Sequence, residues 1–239
     1  MKKIISLSYN DFRNVLREPM LIMLLIGPVA MTLAIRYLIP ILTNLTSEYF
    51  DLTEYYPLIG GSVVLFIPML IGMLIGFILL DERDDSIFLM LIVTPLGRKG
   101  YLIYRTLFPA ILSIIFSVIL LPLIGIVKVS FIEVIAISLL ASLEAPVTAL
   151  LLAGIANNKV EGLAISKGLG IFLIIPIIAY FIKSPWKIIG GVIPYYWPFN
   201  AIVAGNQGND SFWLYIIGGF IVEILILIWL VNRYEKKAA

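Results

Sequence analysis

The chain has 239 residues, of which 61% are hydrophobic and only 13% are charged. Soluble domains carry about 25% charged residues, so a water-soluble fold could not bury this much apolar surface. The net charge of +2 with scattered basic residues argues against nucleic-acid binding. The absence of cysteine and histidine excludes disulfides, thiolate or imidazole metal sites and Ser-His or Cys-His catalysis. We therefore expect an all-α integral membrane protein.

Apolar segments of about 20 residues cross a bilayer as helices, and six are predicted in one transmembrane domain that covers the whole chain. They lie at 20–42, 57–80, 106–127, 131–156, 168–182 and 212–231. A seventh apolar stretch, 186–205, is interrupted by Gly190, Gly191, Pro194 and Pro198. Broken helix at membrane depth is tolerated only against protein or a water-filled cavity. This stretch is therefore predicted as a re-entrant hairpin instead of a span.

The basic residues predict the orientation of the six spans. Of 17 basic residues, 13 fall in the segments on the side of the termini, and the other four are Arg36, Lys128, Lys183 and Lys187. Counting the hairpin as a seventh span would move the C-terminal basic cluster to the outside. By the positive-inside rule both termini are expected in the cytoplasm and the hairpin outside. The plasma membrane of a prokaryote is the expected location.

Two segments outside the spans have amphipathic character. Within 1–18, apolar residues recur at helical spacing, which predicts a helix lying on the inner membrane surface. In the cytoplasmic loop 81–105, a charged run is followed by the apolar residues 87–93 and then by Pro95, which predicts a short capped helix. This segment is either a short helix that docks in a groove of another protein or an ordinary charged loop that lies on lipid headgroups.

Four segments resemble the permease subunits of type-2 ABC exporters, and most of all the small drug-efflux permeases known as fluoroquinolone exporters. They occur in the expected order and together cover the chain. They are 11–19 before the first span, the loop 81–105 with its Thr94-Pro95-Leu96 and its basic-aromatic lead into the third span, 158–167 before the fifth span, and 194–198 before the last.

The resemblance implies roles for these segments. The helix at 1–18 would be a membrane-surface elbow, and the loop 81–105 would carry the coupling helix that contacts an ATPase. The hairpin 186–205 would cap the pathway outside. The coupling residues would be Asp81, Glu82, Arg83, Asp84, Asp85, Ser86, Pro95 and Arg98, and the outer gate would be Pro194, Tyr195, Tyr196, Trp197 and Pro198.

The chain contains no Gly-x-x-x-x-Gly-Lys-Ser/Thr stretch to cradle ATP phosphates. The resemblance therefore implies a separate ABC ATPase subunit that binds ATP and Mg, while this chain holds no cofactor, metal or catalytic residue. Six spans make at most half of a translocation path, so a homodimer, or a heterodimer with a similar permease, is expected.

Two acidic residues, Glu144 and Glu223, fall in the middle of predicted spans. A charge at the bilayer centre costs about 2.5–3.5 kcal/mol on insertion scales, so both should face protein or water, or be protonated. They either form a polar spot on the substrate path that selects cationic compounds, or serve as structural hydrogen bonds between helices or subunits.

The sequence thus predicts the membrane subunit of an ATP-driven exporter of amphipathic or hydrophobic compounds, whether drug-like, peptide or lipid-like. Such a subunit would contribute to antibiotic resistance and would not itself be an enzyme. The alternative is a proton-coupled secondary transporter that uses Glu144 and Glu223 as proton carriers.

Overall fold

The structure, a computed structural model, describes residues 11, 13–85, 97–182 and 184–237, and these contain helices and no strand. Short 3-10 helices lie at Leu52–Tyr55 and Pro185–Val192. The α-helices are α1 (Pro19–Thr46), α2 (Tyr56–Asp84), α3 (Gly97–Ile124), α4 (Phe131–Ser142), α5 (Glu144–Ile155), α6 (Lys159–Leu169), α7 (Ile171–Phe181), α8 (Tyr196–Asn206) and α9 (Phe212–Lys237).

Six helical segments of the described chain are long and apolar enough to cross a membrane, which confirms the predicted number of spans. The fourth span combines α4 with α5, and the fifth combines α6 with α7. The fifth begins at Lys159, before the predicted start at 168. The reason is a helix cap: the Asn158 side chain accepts a hydrogen bond of 2.9 Å from the Glu161 amide.

Several predicted features lie outside the residues that the structure describes. The short helix at 87–93, together with Ser86 and Pro95, is one of them, and so are residues 1–10 of the elbow. The side chain of Arg98 also lies outside the described part. These features stay predictions, and the structure is informative on the residues that flank them.

The second span is the centre of the bundle: 89% of its most apolar stretch is buried, against 17% for α1. α2 packs most extensively on α5. Gly72 and Gly76 permit this contact, because a Cβ at Gly72 would lie 2.5 Å from the Ala145 carbonyl oxygen, and one at Gly76 would lie 2.9 Å from Leu152. Small residues four positions apart let two membrane helices approach closely.

The fourth span is broken at the junction of its two helices. α4 ends at Ser142 and α5 begins at Glu144, with Leu143 between them. Pro146 causes the break, because it has no amide hydrogen and its ring clashes with the carbonyl four residues earlier. The side chain of Glu144 consequently sits at a helix junction in the buried interior.

The segment predicted as a hairpin, 186–205, consists of the 3-10 helix Pro185–Val192 and of α8. α8 has 11 residues, too few to cross a bilayer. It packs on α2 and α9, at the end of α2 opposite to Asp84. Its re-entrant character stays a prediction, but its place in the bundle shows that it is an integral part of the fold.

Candidate functional site

Four consecutive charged residues, Asp81 to Asp84, close the end of α2 that leads into the segment 86–96. We call them, with their bonding partners, the Asp81–Asp84 cluster. Each of the four side chains binds a partner outside α2. The cluster therefore joins the end of α2 to the rest of the bundle.

The most deeply buried part of the cluster is an ion triad of Glu82, Arg105 and Asp11. Arg105 at the start of α3 is 1% exposed and binds both carboxylates. Its Nη1 lies 2.7 Å from Oδ2 of Asp11, and its Nε lies 3.1 Å from Oε2 of Glu82. The Tyr104 hydroxyl donates to Asp11 at 2.6 Å, and the Tyr101 hydroxyl donates to Glu82 at 2.7 Å. Two acids share one cation, so Arg105 is indispensable to both.

Lys159 makes the second set of links. Its ammonium binds the carboxylates of Glu18, which precedes α1, and of Asp81, the latter at 2.9 Å. Its backbone amide, at the first turn of α6, donates to Asp84 at 3.1 Å. A carboxylate at a helix N-terminus is favoured because the amide groups and the helix dipole there are positive. Asp81 and Asp84 thus both hold the start of the fifth span.

Arg83 links α2 to the end of the fourth span. Its guanidinium donates to the carbonyl oxygens of Ala153 at 3.2 Å and Ala156 at 2.5 Å. A cation is favoured there because the last carbonyls of α5 carry the negative end of the helix dipole.

The Tyr101 hydroxyl, bound to Glu82, also bonds with Tyr234 of α9. The end of α2 is therefore linked to the first, third, fourth, fifth and sixth spans.

The predicted coupling residues divide into two groups. Glu82 is buried in the ion triad, and Asp81 and Arg83 are only partly exposed. Asp84 and Asp85 are exposed, at the point where the described chain leaves α2. The inward-facing residues position the end of the helix. Asp84 also binds the Lys159 amide, and the exposed surface of Asp84 and Asp85 faces solvent or a partner.

Glu144 and Glu223, the two mid-span acids, are brought together by the contact between α5 and α9. Both side chains are fully buried and lie within electrostatic reach of each other. Within the described part of the chain, none of their carboxylate oxygens has a hydrogen-bond partner. A buried carboxyl group without a partner is costly, and in a membrane helix it points to function.

Tyr195 lies beside this acid pair. Its hydroxyl shares a hydrogen bond of 2.6 Å with Thr148, one turn after Glu144 on α5. Its ring is parallel to that of Phe172, with centroids 6.4 Å apart. Burial raises the pKa of Tyr195 well above the ordinary value of a phenol. The phenol therefore stays protonated and provides a hydrogen-bonding group next to the two acids.

The remaining predicted gate residues in 194–198 form a rigid unit with α9. The indole nitrogen of Trp197 donates to the Gly191 carbonyl at 2.8 Å. Its ring fills the space above Gly218, where a Cβ would lie 2.4 Å from a ring carbon. Burial and a neighbouring tyrosine raise the pKa of Tyr196 to about 12, so this phenol is also uncharged. Aromatic packing thus holds the start of α8 against the last span.

The family model described as fluoroquinolones export permease protein Rv2686c-like matches residues 11–231. The chain belongs to the Rv2686c-like family. Two proteins of Mycobacterium tuberculosis strains, the fluoroquinolones export permease proteins MT2760 and Rv2686c, are each 34% identical to it over 236 residues, which cover 96% of this chain and 93% of the relative. No solved structure matches the chain.

Membership of the Rv2686c-like family confirms the predicted resemblance and identifies the chain as a membrane permease of an efflux system. The family match begins at Asp11, a member of the ion triad, and extends beyond Glu223. It therefore includes the Asp81–Asp84 cluster, the acid pair and the gate. Among the described residues, no group of three or more acids is arranged to hold a metal ion.

Sequence reasoning assigned no site role to several residues of these clusters. Arg105 and Lys159 count toward the orientation of the spans and lie in the segments 81–105 and 158–167, but the sequence alone gives neither residue a site role. The signal that would have identified them is charge balance, because the acids at the end of α2 need cations nearby. Thr148 gave no such signal, since a hydroxyl in a membrane helix often bonds its own backbone.

Proposed function

We propose that this permease is the membrane-spanning subunit of an ATP-driven ABC exporter, and that a separate ABC ATPase subunit binds ATP and Mg and hydrolyses the ATP. In this assignment the Asp81–Asp84 cluster and both termini face the cytoplasm, and the gate faces outward, in the plasma membrane of a prokaryote. The positive-inside distribution of 13 of 17 basic residues supports this orientation.

The observation that carries the proposal is the set of bonds at the end of α2. The segment 86–96, the proposed contact with the ATPase, is flanked by Asp81 to Asp84, which bind the third, fourth and fifth spans directly. Through their partners these residues are also linked to the chain at the start of the first span and to Tyr234 of the sixth. A displacement of the end of α2 would therefore be passed through these bonds to the other spans. Rigid-body rocking of packed helices is an established way to alternate access to a site.

The proposed cargo is an amphipathic aromatic compound of the fluoroquinolone kind. The names of the two mycobacterial relatives support this substrate class. The acid pair Glu144 and Glu223, with Tyr195 and Thr148, is the proposed polar spot on the path, where carboxylates would receive a positively charged amine of the cargo. Both acids are enclosed in this structure, so the path would open to them only when the spans move.

A second copy of the chain, or a similar permease, is the proposed partner within the membrane. α1 and α9 carry many exposed large apolar side chains, which contact lipid or another subunit. Two ATPases closing on two copies would supply a symmetric push, consistent with the closed symmetry of most oligomers.

The test is reconstitution of the purified chain into proteoliposomes, with and without the ABC ATPase that co-purifies with it. Movement of a fluoroquinolone should require both proteins and hydrolysable ATP. Transport that continues without any ATPase, or a pull-down at native stoichiometry that recovers none, would contradict the proposal. A mutant ATPase unable to hydrolyse ATP is the matched control.

The acid pair also favours a second candidate, a proton-coupled secondary transporter. Two enclosed carboxyl groups within electrostatic reach of each other are suited to holding a proton. This candidate predicts transport by the isolated chain when a proton gradient is imposed without ATP. The same proteoliposomes, with a pH gradient and no nucleotide, distinguish the two mechanisms directly.

A further inference from the structure

A cleft of about 490 Å³ opens at the end of the bundle opposite to the Asp81–Asp84 cluster. It lies between the 3-10 helix Leu52–Tyr55, the end of α7, the 3-10 helix Pro185–Val192 and α8. Its volume falls within the range of about 300–1,000 Å³ that is usual for sites of drug-sized ligands. We call it the Glu54 cleft. It is separate from the enclosed acid pair, and the function assigned above does not use it.

The cleft carries one group of each charge. Glu54 and Lys187 both line it, from different 3-10 helices. Neither charged group has a salt bridge or a side-chain hydrogen bond to any residue that the structure describes. A carboxylate and an ammonium that line the same cleft and do not pair are both available to a ligand with opposite charges at its two ends.

Aromatic rings also line the cleft, and we call them its aromatic wall. Tyr55 and Phe181 both line the cleft, with ring centroids 6.3 Å apart. Tyr180 is fixed by a hydrogen bond of 3.2 Å from its hydroxyl to the Glu54 carbonyl oxygen, and by an edge contact with Phe199. Flat aromatic ligands pack favourably on such rings, beyond the gain from burial of apolar area.

One buried amide adds a directed polar contact. Asn200 of α8 is 8% exposed and lines the cleft. Its amide nitrogen donates to the Tyr196 carbonyl at 2.8 Å, which leaves its side-chain oxygen as an acceptor for a ligand. Because Asn200 lies one turn beyond Tyr196, the cleft shares a helix with the proposed gate. Movement of the gate would therefore alter the cleft directly.

We propose that the Glu54 cleft is a binding site for planar aromatic zwitterions on the outlet side of the gate. The amine of the ligand binds Glu54, its carboxylate binds Lys187, and its ring system lies against Tyr55 and Tyr180. This inference rests on the proposed export function, since it places the site at the exit of the path. A zwitterionic lipid headgroup has the same two charges, but it has no ring to occupy the aromatic wall.

The binding test uses norfloxacin, a fluorescent planar molecule with one carboxylate and one piperazine amine. The full chain is placed in nanodiscs of phosphatidylglycerol, which contain no zwitterionic headgroup, and binding is followed by norfloxacin fluorescence. Its N-acetyl derivative keeps only the carboxylate, and its ethyl ester keeps only the amine. The three compounds separate the contributions of the two charges.

Glu54→Gln should weaken the binding of norfloxacin and its ester about threefold to fivefold and leave the N-acetyl derivative unchanged. Lys187→Gln should weaken norfloxacin and the N-acetyl derivative and leave the ester unchanged. Glu48→Gln and Lys128→Gln change the same charges at exposed positions that do not line the cleft, and should have no effect on any of the three.

Equal effects of both cleft variants on all three compounds, or no effect on any, would overturn the proposal. The proposal would also be overturned if the two cleft variants changed the interaction with phosphatidylethanolamine nanodiscs but left the binding of norfloxacin unchanged. Failure of the cleft is distinguishable from failure of the export function. If ATP-driven transport persists without charge-dependent binding, the cleft is wrong; if charge-dependent binding is seen without ATP-driven transport, the export mechanism is wrong and the cleft remains.

Discussion

Glu82 and Arg105 lie on opposite sides of the segment 86–96 in the sequence, and in the structure they bind each other in the buried interior. The pair fixes the end of α2 to the first part of α3. A second carboxylate, Asp11, binds the same guanidinium from the chain before α1. A displacement of Glu82 or Arg105 would therefore move α2, α3 and the chain at Asp11 together.

The first prediction concerns the removal of the shared cation. Arg105→Met leaves Asp11 and Glu82 buried without a counter-ion, and the expected loss of unfolding free energy is about 3–5 kcal/mol. Thermal unfolding in detergent measures it. Adding Asp11→Asn and Glu82→Gln to Arg105→Met should recover much of the loss, because the uncompensated charges disappear. A single Arg105→Met variant as stable as Lys128→Met, an exposed control, would contradict a structural role for the triad.

The second prediction concerns the close contact of α2 with α5. In Gly72→Ala the new Cβ would lie 2.5 Å from the Ala145 carbonyl oxygen, so the two helices must separate. The expected destabilisation is about 1–3 kcal/mol. Gly168→Ala is the matched control, because nothing lies within 4 Å of its Cβ and it is inside α6. That variant should gain about 0.5–1 kcal/mol in the same unfolding measurement.

Much of this architecture was predictable, because lipid imposes a strong constraint on sequence. The number of spans follows from apolar length alone, and the break of the fourth span follows from Pro146. The helix of the fifth span begins at Lys159, before the predicted span start at 168, because hydropathy counts Lys159 as a loop residue whereas Asn158 caps a helix there. Charge counting predicts an orientation, but it does not predict which charges pair.

The partners within the clusters could not be predicted for a different reason. Glu82 and Arg105 are 23 residues apart, and Asp11 and Arg105 are 94 apart, so only the packing of the spans brings them together. The approach of Glu144 to Glu223 depends likewise on the contact of α5 with α9. A sequence shows which charges need partners, but the fold decides which partner each one has.

The third prediction tests mechanical coupling through Lys159. Its ion pairs with Glu18 and Asp81 are partly exposed, so Lys159→Met should change the unfolding free energy by no more than about 1 kcal/mol. The link from α2 to the fifth span would nevertheless be weakened. In proteoliposomes with the ATPase, the number of molecules moved per ATP hydrolysed should fall.

The control for this prediction is Lys167→Met, which removes an exposed cation from the same helix without touching the cluster. It should leave the transport-to-hydrolysis ratio at the wild-type value. An unchanged ratio in Lys159→Met, with normal assembly of the complex, would show that the Asp81–Asp84 cluster only stabilises the fold. A fall in both rates together would indicate loss of ATPase binding instead of loss of coupling.

The last prediction concerns the two enclosed acids. Glu144→Gln and Glu223→Gln keep the shape of each side chain and remove its ability to ionise. No hydrogen bond from the described residues reaches either carboxylate, so neither variant should unfold at a temperature below that of the wild type. Transport of a cationic fluoroquinolone ester should fall in both, because the amine loses its counter-charge. Transport of an uncharged analogue should not change.

Stability and transport together separate three interpretations of this pair. If the acids serve as structural hydrogen bonds between helices or subunits, the Gln variants should unfold earlier and move all compounds equally poorly. If they receive the cargo, stability is kept and the loss is confined to cationic compounds. If they carry protons, both variants should also abolish transport driven by a pH gradient without nucleotide. Because Tyr195 is protonated beside the pair, Tyr195→Phe should weaken cargo selection without creating a new charge.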